Sequence, residues 1–154
     1  TLEIDEFILM GYSRGVSYTL GYGLEHIERL KGLIIGDYPA IHTKLPEKWV
    51  DWFIELPPWK GKTALERMKK STLESIQRES DEKNFLKELY KLKISVLIIC
   101  GGKEGSILTK ELRDDYKESI EKVEFVVFKE SYHNIFEPNT SQFINTLKKY
   151  INKL

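Results

Sequence analysis

Cysteine is almost missing from this sequence of 154 residues, and its one thiol, Cys100, has no second cysteine with which to close a disulfide. A disulfide-stapled scaffold is therefore excluded. No signal-peptide pattern precedes the first apolar stretch, so the expected setting is a reducing cytoplasm. Neither sign of charge is in excess: 24 Lys and Arg balance 24 Asp and Glu, for a formal net charge of zero. That balance offers no footprint for nucleic acid or an anionic membrane, and no basic stripe for a lipid-surface helix. No apolar run approaches the length of about 20 residues that spans a bilayer. Three histidines and one cysteine stand at separations that fit no metal-ligand pattern, so neither a metal nor a cofactor is expected. Internal repeats and low-complexity segments are also lacking. A single domain with room for a real core is what remains.

What is present centres on Gly11-Tyr12-Ser13-Arg14-Gly15. Four large apolar residues, Phe7, Ile8, Leu9 and Met10, lead into it, as a strand buried on both faces requires. Val16, Leu20, Leu24 and Ile27 follow at helical spacing. A strand that becomes a helix within so few residues puts Ser13 at the apex in a strained conformation, its hydroxyl beyond the end of the sheet. Gly11 and Gly15, lacking Cβ atoms, are expected to avoid collisions on either side. The plainer alternative is an ordinary strand-turn-helix with a capping serine.

In chain order, the first helix is expected from Arg14 to about Gly23, where glycine breaks it. Leu33, Ile34, Ile35 and Gly36 form a second buried strand, parallel to the first through a right-handed crossover. Asp37 closes it. Residues 42–80 change composition: Trp49, Trp52, Phe53 and Trp59 gather with Pro46, Pro57 and Pro58, and two helices without strands are expected there, an aromatic-rich one over residues 47–56 and a charged one over residues 62–78. A further helix is expected over residues 81–91, with Phe85, Leu86, Leu89 and Tyr90 inward. Residues 94–100 form a third strand rich in β-branched side chains. A helix capped by Thr109 and a fourth strand over residues 123–128 follow. Asn139 and Gln142 are placed to cap the last helix.

Loops after parallel strands gather at one edge of an open sheet. In chain order these loops carry Ser13, Glu104 and His133. A serine hydroxyl needs a base to take its proton, and the base needs an acid to hold its tautomer. Surface positions for His133 and Glu104 are the ordinary alternatives. Asp37 is read first as a cap on the turn that follows it.

Together, Gly11-Tyr12-Ser13-Arg14-Gly15, the Gly101-Gly102-Lys103-Glu104 loop and Tyr132-His133-Asn134 with Glu137-Pro138 resemble the α/β-hydrolase superfamily. The likeness is closest to its lid-bearing esterases, peptidases and hydrolases or acyltransferases, and it covers nearly the whole chain. It implies an α/β fold: a mostly parallel sheet flanked by helices, with a helical lid at residues 42–80 after the second strand and a return to the core at 81–154. It implies Ser13 as nucleophile, Glu104 as acid and His133 as base, with Asp37 as fallback acid because some members place the acid there. Arg14 would give an oxyanion-hole N–H. Tyr12, Trp49, Trp52 and Phe53 would line a pocket for a small substrate with an apolar part. The implied chemistry is hydrolysis of an ester, thioester or amide through an acyl-serine, or acyl transfer by the same residues.

The sequence departs from the family pattern at three points. The acid is Glu where Asp is commoner. Tyr132 stands where the family usually has Gly, which implies a different seat for the histidine. The family's amino-terminal half, which supplies the early strands and a second oxyanion donor, has no counterpart here, so the chain reads as the carboxyl-terminal part of the fold. A binding module that keeps the fold without catalysis is the alternative function. The same departure leaves Phe7 to Met10 as an apolar sheet edge, where self-association or pairing with the missing half is expected.

Overall fold

The computed structural model describes residues 4–154. The chain divides into two compact units, Thr1–Ile41 with Asn84–Leu154, and His42–Lys83.

The first unit is built on four strands, β1 (Phe7–Tyr12), β2 (Leu30–Gly36), β5 (Ser95–Gly101) and β6 (Val123–Phe128), in the order β1-β2-β5-β6. All three pairings are parallel. Helix α1 (Gly15–Glu25) links β1 to β2, α5 (Lys110–Ser119) links β5 to β6, and α6 (Thr140–Ile151) closes the chain.

Alternation along the central strands explains why helices cover both faces. Leu33, Ile35, Val96, Ile98 and Cys100 join one buried cluster with Val16, Leu20, Leu108 and Tyr116. Ile34, Leu97 and Ile99 join the other with Phe128, Ile135, Phe143 and Tyr150. Successive side chains of a strand point to opposite faces, so an unbroken apolar run demands two cores. Tyr150 of α6 also ties its helix to the sheet by donating to the carbonyl of Ser95 at 2.6 Å.

Several local expectations change. Helix α1 continues through Gly23 to Glu25. Gly23 serves close packing rather than termination, since a Cβ there would stand 3.2 Å from Cδ1 of Leu30. Residues 81–91 are not one helix: a two-residue strand, β4 (Lys83–Asn84), precedes a 3-10 segment, Leu86–Lys91. Tyr90 is 60% exposed, while Phe85 and Leu89 are buried as expected. β4 pairs with β3 (Ile41–His42), a strand the sequence did not announce. The caps hold at the two carboxyl-proximal helices: Thr109 accepts from the Leu112 amide at 3.5 Å. Asn139 accepts from Gln142 at 2.9 Å.

The second unit carries α2 (Trp49–Glu55), α3 (Ala64–Arg67) and α4 (Lys70–Arg78). A single charged helix over residues 62–78 is replaced by the last two, and α3 starts at a reciprocal capping box between Thr63 and Glu66. Trp49 and Phe53 stack at 5.0 Å, one turn apart on α2, while Trp52 is 56% exposed. Among the described residues no helix is long and apolar enough to cross a membrane.

β1 stands at one edge of the four-stranded sheet. Beside it lies an apolar cleft of about 510 Å³, lined by Ile4, Phe7, Leu9, Tyr18, Thr19, Tyr22 and Arg29.

Candidate active site

The strand register assembles the site. Tyr12 stands opposite Gly36, Gly36 opposite Ile99, and Gly101 opposite Phe128. The residues that follow therefore leave the sheet side by side. Ser13 donates its amide to the Gly36 carbonyl at 2.8 Å, and Asp37 donates its amide to the Ile99 carbonyl at 2.8 Å. Each ladder is extended by one bond beyond its strand. Ser13 has φ 53° and Asp37 has φ 44°. Both backbones lie in the left-handed region, which costs a non-glycine residue of order 1 kcal/mol or more and persists only where the surroundings hold it.

Gly11 makes the turn into α1 possible. A Cβ there would stand 2.3 Å from Thr19 Oγ1 and 2.8 Å from the Cα of Val16. Gly15 differs from expectation: a Cβ there would meet nothing within 4 Å. The crowding is on the strand side of the apex alone.

Nε2 of His133 lies 2.8 Å from Oγ of Ser13. Its Nδ1 lies 2.8 Å from Oδ2 of Asp37. An ionised carboxylate only accepts, so Nδ1 carries the proton and Nε2 is free to accept from the serine hydroxyl. Asp37 is fully buried, at 0% exposure. Its Oδ1 also accepts from Ser106 Oγ at 2.5 Å and the Leu108 amide at 3.3 Å, and Oδ2 from the Ile107 amide at 3.1 Å. Burial pushes the carboxyl upward, but hydrogen bonds from His133, Ser106, Ile107 and Leu108 outweigh it and hold Asp37 below its ordinary range.

The carboxylate that meets His133 is thus Asp37 and not the expected Glu104. Glu104 is exposed in the loop after β5. That loop presents Ser106, Ile107 and Leu108 to the site, and they serve Asp37. The favoured reading of Asp37 as a turn cap is likewise replaced. A sequence signal existed: Asp37 directly follows the apolar run Leu33-Ile34-Ile35-Gly36. Ser106 gave no signal of its own.

His133 is placed by its neighbours' backbones. The amides of Gly102 and Lys103 each donate to the Ser131 carbonyl at 3.0 Å. A Cβ on Gly101 would stand 2.1 Å from the Tyr132 carbonyl oxygen. Tyr132 itself is 58% exposed, with Lys103 Nζ 5.3 Å from its ring centre. Its side chain thus leaves the site, and the imidazole still reaches both Ser13 and Asp37 despite the family departure.

Tyr12 does not simply line a pocket. Its hydroxyl donates to the His133 carbonyl at 3.0 Å, and its ring stacks on the imidazole. Burial first, then the charges of Asp37 and Glu137, push its pKa up to about 12, so the hydroxyl stays protonated. Arg14 is the N-cap residue of α1, which places its amide where the helix dipole favours negative charge. Among the described residues no cluster could hold a metal ion.

No protein-family model matches the sequence, and no curated protein matches it significantly. Solved structures do match. A proline iminopeptidase from Mycobacterium smegmatis superposes with TM-score 0.75 at 14% identity, over 99% of this chain and 67% of the other. The meta-cleavage product hydrolase CumD from Pseudomonas fluorescens gives 0.70 at 16% identity, over 99% and 66%. The esterase EaEST from Exiguobacterium antarcticum gives 0.64 at 18%, over 94% and 66%. The chain has the α/β-hydrolase fold, in its carboxyl-terminal portion, and spans about two thirds of the length of these structures.

Proposed function

We propose that this chain carries the catalytic machinery of a serine hydrolase acting on a small ester, thioester or amide with an apolar part. The observation that supports this reading is the continuous relay from Ser13 Oγ through the His133 ring to buried Asp37. Ser13 attacks the substrate carbonyl carbon while His133 Nε2 takes its proton. The oxygen that becomes negative is met by the Arg14 amide at the start of α1. The tetrahedral adduct then expels its leaving group, which takes the proton from His133 and leaves an acyl-serine. Water activated by the same histidine releases the acid; an acceptor other than water would make the enzyme an acyltransferase. Asp37 stabilises the imidazolium that forms in each half of the cycle.

The neighbours are named as a peptidase, a hydrolase of meta-cleavage products and an esterase, which supports carbonyl chemistry without choosing the acyl group. The family resemblance supports reading residues 42–80 as a lid.

A fluorophosphonate probe tests the proposal. The expected result is one covalent adduct on the peptide that contains Ser13. A folded protein that takes no label is instead a non-catalytic module.

The edge position of β1 leads us to propose that the chain pairs with another polypeptide along Phe7 to Met10. Size-exclusion chromatography with light scattering is expected to show a species above the monomer mass of 18.1 kDa; a stable monomer at every concentration overturns this pairing.

A further inference from the structure

We propose that Tyr12, the residue immediately ahead of the nucleophile, is a positioning residue that holds the His133 imidazole in register with Ser13 and stabilises its protonated form. This inference rests on the serine-hydrolase reading above. His133 belongs to a loop, and a ring on a loop must be fixed at more than its two nitrogens if it is to alternate between accepting and donating a proton.

Tyr12 supplies that restraint in two ways. Its hydroxyl donates to the His133 main-chain carbonyl at 3.0 Å. Its ring lies nearly parallel to the imidazole, with centroids 5.1 Å apart and planes 23° from each other. The first bond fixes the backbone from which the imidazole hangs, and the second closes one face of the ring. An aromatic face carries partial negative charge, so it favours the imidazolium over the neutral ring. That preference appears only when His133 has taken the serine proton, which is the point at which it lowers the barrier.

Tyr12 is itself well anchored. It ends β1, opposite Gly36. Phe136 meets it edge-on at 4.9 Å, and Phe143 of α6 meets Phe136 edge-on at 4.7 Å. The aromatic column runs from the last helix to the imidazole. Position 12 thus joins the strand that carries the nucleophile to the loop that carries the base.

The test is the rate of Ser13 trapping by a fluorophosphonate, separated into initial affinity and the first-order step. Tyr12→Phe keeps the stacked ring and loses the hydroxyl; its first-order rate is expected to fall about threefold to tenfold. Tyr12→Leu loses both and is expected to fall about thirtyfold or more, with initial affinity changed less than about twofold. Thermal melts establish that each variant folds. A second measurement is the proton resonance of His133 Nδ1–H, identified by its loss in Asp37→Asn; it is expected to exchange with water faster in Tyr12→Phe than in the parent. A parent protein that is never labelled defeats the hydrolase reading itself. A labelled parent whose folded Tyr12 variants trap at the parental rate, or whose Tyr12→Phe resonance is unchanged where the leucine variant does not fold, overturns the role of Tyr12.

Discussion

Asp37→Asn is expected to lower the first-order rate of acyl-enzyme formation by about ten thousandfold, while Glu104→Gln changes it by less than about twofold. The asymmetry follows from what each carboxylate touches. Asp37 faces Nδ1 of His133 at 2.8 Å, while Glu104 is exposed in the loop after β5. An asparagine amide can donate to Nδ1, which forces the ring proton onto Nε2 and leaves nothing to accept from Ser13. The charge that balances the imidazolium is lost as well.

The fold is expected to survive, because the asparagine carbonyl can still accept from Ser106, Ile107 or Leu108. The stability difference has a definite sign with pH. The folded-state pKa of Asp37 is lowered, so its contribution is complete above the ordinary carboxylate range. It disappears as pH falls through the depressed folded value. The gap in stability between parent and Asp37→Asn should therefore narrow in acid. Equal loss of rate in both variants would return the acid's role to open question between the two loops.

Gly101→Ala is expected to cost about 2–4 kcal/mol of stability, a fall of roughly 10 °C in melting temperature. It is also expected to abolish labelling of Ser13 in whatever fraction remains folded. The added Cβ would sit 2.1 Å from the Tyr132 carbonyl oxygen and 2.6 Å from that of Ser131. Those partners are backbone, so no rotamer change relieves the contact. The loop must retreat, and it carries His133 with it. Gly15→Ala is the matched control, since a Cβ there would meet nothing within 4 Å. It should melt at the parental temperature or slightly above. A Gly101→Ala protein that melts with the parent and labels normally would refute the account of how the histidine is seated.

The fold was legible because its signals are one-dimensional. Apolar runs at Leu33 to Ile35 and at Val96 to Cys100 declare strands buried on both faces, and the Gly-x-Ser-x-Gly turn declares the edge at which the candidate site lies. Ser13 and His133, proposed above as nucleophile and base, were legible because each lies in a loop that follows a strand. The acid was not. Two carboxylates, Asp37 and Glu104, both follow buried strands, and only the path of a loop decides between them. That path depends on Gly101 and Gly102 lying against the backbone of residues 129–132, a contact between loops that no local pattern encodes. The second function of Tyr12 was hidden likewise, because an aromatic at an apex reads equally as pocket lining. The segment over residues 81–91 misled because apolar spacing does not distinguish a 3-10 segment from an α-helix.

The wholly parallel sheet has a consequence for the life of the chain before it is finished. His133 lies 120 positions downstream of Ser13 and 96 downstream of Asp37, and parallel strands cannot meet through a short hairpin. During synthesis Ser13 emerges before His133, and the imidazole can reach its oxygen only after β6 has docked and the loop beyond it has followed. On the serine-hydrolase reading proposed above, a nascent polypeptide would be inert toward acyl compounds until that loop is in place.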